Sequence, residues 1–115
     1  MKDDRLYLIH IAESIERIEA YVADGPDAFL ADTKTQDAVL RNLQTLSEST
    51  QRLSLELKLA HPSVDWQGIA GFRNLLVHEY LGISLRRVWE IVSRDLPKLK
   101  CDVRAMLDEL GEQTG

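Results

Sequence analysis

One short stretch of the chain, Gly71–Gly82, brings together side chains that could act on a phosphate ester. Within it, Arg73, His78 and Tyr80 supply a permanent cation, an imidazole and a phenol. An imidazole titrates near ~6.5 and can take a proton at neutral pH, and the planar guanidinium is suited to binding phosphate. RNA carries its own nucleophile, the ribose 2′-hydroxyl. These side chains therefore fit metal-free RNA cleavage, which yields a 2′,3′-cyclic phosphate and a 5′-hydroxyl.

The spacing of these residues decides how they can meet on a helix. At about 100° per residue, Arg73 and Tyr80 are about 20° apart, and Asn74 and His78 are about 40° apart. Arg73 and His78 differ by about 140°, so one helix does not easily aim both at one atom. A two-fold pair of chains would bring a second Arg73 and His78 to the same cleft. Asn74 is placed to hydrogen-bond the imidazole, or is a plain surface amide.

The same residues also fit a purely structural interpretation. Arg73 can pair with a surface acid, His78 can be a polar position on the helix, and Tyr80 can pack with its hydroxyl at the rim. Short motifs recur by chance. Spacing alone therefore leaves both interpretations open.

Longer segments of the chain resemble the HepT family of HEPN-domain proteins, in order and over nearly the whole length. The similar segments are Lys34–Leu43, Trp66–Tyr80 and Val88–Val92. The family signature of Arg, four residues, His, any residue and Tyr is met by Arg73, His78 and Tyr80. The resemblance implies an all-helical homodimer that acts as the endoribonuclease toxin of a toxin–antitoxin pair. It also implies Arg73 and His78 as catalytic residues, and Tyr80 as the residue that a minimal nucleotidyltransferase antitoxin adenylylates.

The resemblance is compatible with two functional hypotheses. In the first, the chain cleaves RNA, and each AMP joined to Tyr80 adds charge and bulk beside Arg73, which excludes the substrate phosphate. In the second, the chain is a non-catalytic helical interaction module that binds the nucleotidyltransferase, and the motif is its docking and acceptor surface.

Composition and charge narrow the class of protein. The chain has 115 residues, of which 44% are hydrophobic and 29% charged, with one cysteine and a net charge of −5. These values indicate one soluble domain over residues 1–115, acting in the reducing cytoplasm. The acidic balance argues against binding duplex DNA by phosphate neutralisation. Near the N-terminus we find neither a signal-peptide core nor a membrane span, and hence expect no export and no membrane partner.

Charges and polar residues are distributed unevenly. Residues 73–104 hold seven basic and four acidic residues, a local charge of +3 against −8 for the rest. A polyanion would approach this end of the chain. For each residue taken singly, however, helical spacing favours ordinary surface pairing of Arg86, Arg87 and Arg94 with Glu90 and Asp95. The histidines and acids lack the spacing of metal ligands, and we find no glycine-rich phosphate loop, so we expect no metal and no cofactor.

Apolar periodicity predicts an all-α, antiparallel, HEPN-like bundle of about five helices. The predicted elements are a helix over Asp3–Ala23, a short turn over Asp27–Ala31, a helix capped by Thr35 that continues to His61, a helix from Asp65 or Trp66 to Tyr80, a helix capped by Ser84, and a last helix over Leu96–Leu110.

Several residues within these elements stand out. Gly68 and Gly71, just ahead of the motif, indicate a bend or a close helix contact. Residues 47–50 read Ser-Glu-Ser-Thr, where HepT-like sequences favour small and apolar residues, which indicates an altered dimer seam. Trp66 and Trp89 are expected to anchor helix packing. Cys101, next to predicted core positions, is expected to be partly buried.

Overall fold

The computed structural model describes the backbone of residues 3–78 and 84–114 and the side chains of residues 3–72 and 84–111. All regular structure in these ranges is helical. The elements are α1 (Asp4–Tyr21), α2 (Pro26–Ala31), α3 (Thr33–Gln51), α4 (Leu55–Ala60), α5 (Trp66–His78), α6 (Leu85–Glu90), a π-helical turn π1 (Ile91–Asp95) and α7 (Leu96–Thr114). The predicted all-α, HEPN-like bundle class is confirmed.

The centre of the bundle is built from the apolar stripes of α1 and α3. The core residues of these two helices are at most 1% exposed: Leu8, Ile11, Ile15, Ile18, Val39, Leu43 and Leu46. Complete burial of one such side chain stabilises the fold by about 1.5–3 kcal/mol. α1 packs against α3 and α7, and α5 packs against α3. The helix that carries the motif is therefore held by the most deeply buried part of the molecule.

The predicted second helix begins at Thr33, two residues before Thr35, which was predicted to cap it. Its N-cap is Asp32 rather than Thr35, because the Asp32 carboxylate accepts hydrogen bonds from the Lys34 N–H at 3.1 Å and the Thr35 hydroxyl at 2.7 Å. The hydrogen bond from Thr35 lowers the pKa of Asp32 below its usual value. Thr35 thus supports the cap instead of forming it.

A contact with the start of α1 divides the same predicted helix in two. The Ser54 N–H and hydroxyl donate to the two carboxylate oxygens of Asp4 at 2.8 and 2.6 Å. The Ser54 hydroxyl oxygen accepts a hydrogen bond from the Leu57 N–H at 3.1 Å and thereby caps α4. At Ser54 the backbone is extended (φ −66°, ψ 151°). The prediction of one continuous helix to His61 is wrong here, because Asp4 lies 50 residues away in sequence and leaves no mark on a local repeat.

The predicted fourth and fifth helices are joined through a π-turn. The Ser84 hydroxyl accepts a hydrogen bond from the Arg87 N–H at 3.3 Å, which confirms the predicted cap. Pro97 lacks an N–H, and its ring would collide with the carbonyl four residues earlier in a regular α-helix. The wider turn π1 lies directly before it, and Leu96 keeps helical dihedrals (φ −65°, ψ −40°). A proline that usually ends or kinks a helix is thereby accommodated within one helical path.

The polar run 47–50 belongs mostly to the interior of the protomer. Ser47, Ser49 and Thr50 are 0%, 8% and 3% exposed, and only Glu48 of the four is exposed. The Ser47 and Thr50 hydroxyls donate to backbone carbonyls within α3, at 2.9 and 3.0 Å. Three of the four residues therefore pack inside the protomer, and the effect of this run on a dimer seam stays a prediction.

Both tryptophans anchor packing, as predicted. The Trp66 indole N–H donates to two backbone carbonyls at the end of α4, at 3.0 and 3.2 Å. The Trp89 ring lies 5.6 Å from that of Phe29. Cys101, in contrast, is exposed, so the prediction of partial burial is wrong. Its sequence neighbours at positions 99 and 103 are buried, but residue 101 lies beside that stripe on the helix and not within it.

Candidate functional site

The residues predicted to do chemistry lie on and just after α5. The helical backbone runs from Trp66 through His78, so Arg73, Asn74 and His78 occupy positions on one helix. The side chains of these three residues lie outside the described part of the structure. Tyr80, where the helix was predicted to end, is also outside the described residues.

The first turn of α5 explains one of the two glycines before the motif. The Asp65 carboxylate accepts a hydrogen bond from the Gly68 N–H at 2.9 Å, which satisfies one of the N–H groups left unpaired at a helix start. A Cβ atom at Gly68 would collide with that carboxylate. Gly71 differs, because a Cβ atom there would meet nothing within 4 Å. The close contact predicted for these glycines is therefore a contact between Gly68 and the Asp65 carboxylate at the start of the same helix. At Gly71 no such contact with a described residue is found.

The register of α5 sets the motif positions relative to the core. Ile69 and Phe72 are 5% and 7% exposed and belong to the hydrophobic core, whereas Gln67 and Gly71 are exposed. In helical register, positions 74 and 78 continue the row of residues 67 and 71. Position 73 is about 40° from Ile69 and about 140° from position 78. A single copy of α5 thus has these two motif positions on different faces.

A cleft of about 270 Å³ lies between the beginning of α5 and the path α6–π1–α7. The residues that line it are Val64, Asp65, Gly68, Ile69, Phe72, Arg87, Arg94, Asp95, Lys98, Leu99 and Asp102. It reaches α5 as far as Phe72, the residue directly before Arg73. The cleft therefore joins the helix of the predicted site to the basic segment of the chain.

The basic residues of this cleft, Arg87, Arg94 and Lys98, belong to the region that the charge count indicated. Their spacing of seven and four residues was the signal that could have placed them on one helix face. Of the predicted surface pairs, Arg94 and Glu90 are 4.0 Å apart. Arg87 makes no ion pair with any side chain that the structure describes.

The other histidines take part in local contacts. The His61 Nε2 atom lies 3.4 Å from a Glu109 carboxylate oxygen, and the His10 ring stands edge-on to Tyr7 with centroids 6.4 Å apart. Among the described side chains, no group of three or more His, Cys, Asp or Glu could hold a metal ion. Within the same ranges, every helix is too short or too polar to cross a membrane.

Comparison with known proteins gives matches over almost the whole chain. A family model described as "Ribonuclease HepT-like" matches residues 11–106, a range that includes Arg73, His78 and Tyr80. "Probable ribonuclease HepT" of Thermococcus cleftensis is 39% identical over 95 residues, which are 82% of this chain and 86% of that protein. "Putative RNase TTE0752" of Caldanaerobacter subterraneus subsp. tengcongensis is 34% identical over 110 residues, 95% of this chain and 98% of that protein.

A third relative is a longer protein. "Gamma-glutamylcyclotransferase and putative RNase MJ0434" of Methanocaldococcus jannaschii is 37% identical over 110 residues, which are 95% of this chain and 50% of that protein. The chain thus spans half the length of this relative. No solved structure matches the chain.

Proposed function

This chain belongs to the HepT-like ribonuclease family, and we propose that it is an endoribonuclease that cleaves RNA without a metal ion. The observation that carries the proposal is the family signature Arg73, His78 and Tyr80 inside the matched range. The helical backbone of α5, which holds two of these positions, supports it. The relatives that are named as ribonucleases support the same class of activity.

In the proposed reaction, His78 takes the proton of a ribose 2′-hydroxyl. The 2′-oxygen attacks the adjacent phosphorus, and the bond from phosphorus to the 5′-oxygen breaks. The 5′-oxygen leaves with a proton returned by His78, which became an imidazolium when it took the 2′-hydroxyl proton. Arg73 balances the charge that builds on the phosphate oxygens. A positioned base or acid contributes about 10²–10⁴-fold in rate, and one well-placed electrostatic donor contributes about 10²–10³-fold.

Two copies of the chain would complete the proposed site. Positions 73 and 78 are about 140° apart on one helix, so a two-fold axis is the simplest way to bring an Arg73 and a His78 to one phosphate. Asn74 is proposed to fix the tautomer of the imidazole one turn later.

The proposed regulation acts through Tyr80. A nucleotidyltransferase antitoxin would join the Tyr80 oxygen to the α-phosphorus of ATP, with pyrophosphate as the leaving group. The added phosphodiester and nucleoside would then occupy the space that the substrate phosphate needs beside Arg73. The chain would in this way be the toxin of a toxin–antitoxin pair, acting in the cytoplasm where RNA and ATP are both present.

The activity is tested with purified, unmodified chain, RNA and a chelator. We expect fragments that end in a 2′,3′-cyclic phosphate, and we expect His78→Ala to abolish them. His10→Ala is the matched control, because His10 is an exposed histidine on another helix, and it should cleave as the unchanged chain does. Cleavage that survives His78→Ala, or that needs a divalent metal, would contradict the proposed mechanism.

The regulation is tested by intact mass. Incubation with ATP and the cognate nucleotidyltransferase should add AMP to the unchanged chain but not to the Tyr80→Phe variant. The control is Tyr21→Phe, at an exposed tyrosine of α1, and this variant should still be modified. An unshifted mass would count against the acceptor role. A shifted mass in a chain that cleaves no RNA would instead support the non-catalytic interaction module.

A further inference from the structure

We propose that α4 and an acidic pocket beside it form the docking surface for the nucleotidyltransferase, which binds there through a segment of basic and apolar residues. The acidic pocket is the cavity of about 280 Å³ between α4, the start of α1 and the end of α7. This inference rests on the proposed regulation and deepens it, because it says where the modifying enzyme holds the chain. It assigns this surface no part in the cleavage of RNA.

α4 carries the two most exposed large hydrophobic side chains among the described residues. Leu55 and Leu59 are each 70% exposed. The next two in exposure are Leu6 and Tyr21 of α1, at 48% and 43%. Positions 55 and 59 are one turn apart and about 40° apart around the axis, so they form one apolar strip. This strip lies about 160° from Leu57, which packs on the core, so packing within the protomer does not explain it.

The acidic pocket lies beside this strip. Glu56 and Ala60 line the pocket, and each directly follows a leucine of the strip in the chain. In helical register, Glu56 and Ala60 are about 100° around α4 from those leucines. One segment of a partner can therefore cover the strip and extend side chains into the pocket.

The charge of the acidic pocket favours a cationic occupant. Its lining holds three carboxylates and one histidine, and no lysine or arginine among the described residues: Asp4, Glu56, His61 and Glu109. The basic residues that are near in sequence, Arg5, Arg52 and Lys58, do not line it. The Lys58 Nζ atom instead lies over the Trp66 ring, 6.0 Å from its centroid. A lysine or arginine of a partner is thus the charge that the pocket lacks.

One of the three carboxylates is free to pair with a partner. Asp4 accepts hydrogen bonds from the Ser54 N–H and hydroxyl at 2.8 and 2.6 Å. A Glu109 carboxylate oxygen lies 3.4 Å from the His61 Nε2 atom. Glu56 is exposed and makes no hydrogen bond or ion pair with a described residue. We therefore expect Glu56 to form the main ion pair with the partner.

These properties distinguish among the three partners of the proposed function. RNA is repelled, because the lining carries carboxylates and no described lysine or arginine. A second copy is disfavoured as well, since a two-fold contact centred here would bring Glu56 of one chain towards Glu56 of the other. The nucleotidyltransferase is the remaining partner, and it has to hold the chain at some surface while it modifies Tyr80.

The docking surface is also close enough to the proposed acceptor. The Trp66 indole N–H donates to two backbone carbonyls at the end of α4, at 3.0 and 3.2 Å, so α4 holds the start of α5 directly. From Trp66 to His78 the helical backbone rises by about 18 Å, and Tyr80 comes two residues later in the chain. A protein of ordinary domain size spans such a length. An enzyme docked on α4 can therefore act on Tyr80.

The first test measures binding of the cognate nucleotidyltransferase, without ATP, by isothermal titration calorimetry at several salt concentrations. Leu55→Gln/Leu59→Gln should weaken binding about 10–100-fold, because the partner loses its apolar contact. Glu56→Lys should weaken it about 10-fold, and Glu56→Gln about 2–5-fold. The effects at Glu56 should shrink as the salt concentration rises, whereas the effect of the leucines should not.

The matched controls are Leu6→Gln and Glu13→Gln. They change an exposed leucine and an exposed acid of α1 that do not line the acidic pocket, and both variants should bind as the unchanged chain does. No loss of binding in Leu55→Gln/Leu59→Gln, or an equal loss in Leu6→Gln, would overturn the inference. Circular dichroism checks that the variants fold, and if the double variant does not, Glu56→Lys against Glu13→Gln decides the question.

Sedimentation of the chain alone tests a second copy as the occupant. Leu55→Gln/Leu59→Gln should keep the oligomeric state of the unchanged chain. Dissociation of the variant into smaller species would assign the strip to an interface between copies and overturn the inference.

The last test separates this inference from the proposed function. Leu55→Gln/Leu59→Gln should raise KM for adenylylation of the chain with little change in kcat, and should leave its own cleavage of RNA unchanged. If the nucleotidyltransferase neither binds nor modifies the unchanged chain, the proposed regulation and this inference both fail. If it modifies the unchanged chain and the double variant with the same KM, only the inference fails. If it binds at α4 but adds no AMP, the inference stands and the acceptor role of Tyr80 fails.

Discussion

α1 and α5 are both helices of one bundle, but their residues satisfy different requirements. α1 buries an uninterrupted stripe that includes Leu8 and Ile15, both 0% exposed. α5 anchors its described part through Ile69 and Phe72 and has glycine at two helical positions, each of which costs about 1 kcal/mol relative to alanine. The comparison shows that α1 is composed for packing, and that α5 gives up local stability where the proposed chemistry and the cleft lie.

The largest effect that would sharpen this contrast is expected at Arg73. Arg73→Gln should lower the rate of RNA cleavage by about 10²–10³-fold, because the charge on the reacting phosphate loses its partner. If the guanidinium serves the reaction and not the packing, the free energy of unfolding should stay within about 0.5 kcal/mol. Single-turnover cleavage and urea denaturation measure the two quantities. Arg41→Gln, at an exposed position of α3, is the control and should change neither.

The opposite pattern is expected in the core. Leu43→Ala removes a completely buried side chain of α3 and should lower the free energy of unfolding by about 2–5 kcal/mol. Below its unfolding transition the variant should still cleave RNA at the normal rate. A variant that stays as stable as the unchanged chain would contradict the assignment of α3 to the centre of the core.

A smaller loss of stability is expected where α1 meets α4. Ser54→Ala removes the hydroxyl that donates to Asp4 and caps α4, and should cost about 1–2 kcal/mol. Ser93→Ala is the control, because the hydroxyl of this exposed residue makes only a long hydrogen bond of 3.5 Å within its own helix. Equal denaturation midpoints for the two variants would argue against the long-range contact.

The smallest effect compares the two glycines of α5. Gly71→Ala should raise the free energy of unfolding by up to about 1 kcal/mol, since the added methyl group has open space. Gly68→Ala gains the same propensity but displaces the Asp65 carboxylate, and loss of a cap costs about 0.5–2 kcal/mol. We therefore expect Gly71→Ala to be the more stable variant by about 1 kcal/mol in urea denaturation. The reverse order would refute the cap.

The parts of the fold that local patterns encode could be predicted from the sequence. The stripes of α1 and α3 follow from apolar spacing, and Ser84 follows from its place before an apolar helix. The division at Ser54 was missed because the apolar spacing runs through it. The cap that Ser54 forms on Leu57 is a local signal like that of Ser84, whereas its contact with Asp4 in another helix leaves no local pattern. The exposure of Cys101 depends on where position 101 lies around the helix. The burial of positions 99 and 103, two residues before and after it, does not determine this.

The candidate site is named from a local motif. Arg73, His78 and Tyr80 lie within one short segment, so spacing and resemblance single them out as candidates, and their roles stay predictions. The cleft is different, because it forms only when the start of α5 meets Arg87 and Arg94 from a later helix. The sequence shows the excess of positive charge in this region but contains no local signal for the partner surface.

The carboxylate of Asp65 has two neighbours with competing demands. It holds the first turn of α5 through the Gly68 N–H, and it also stands at the rim of the cleft. The start of α5 therefore depends on a carboxylate that solutes in the cleft can reach, so a change at the rim of the cleft is also a change at the first turn of the helix.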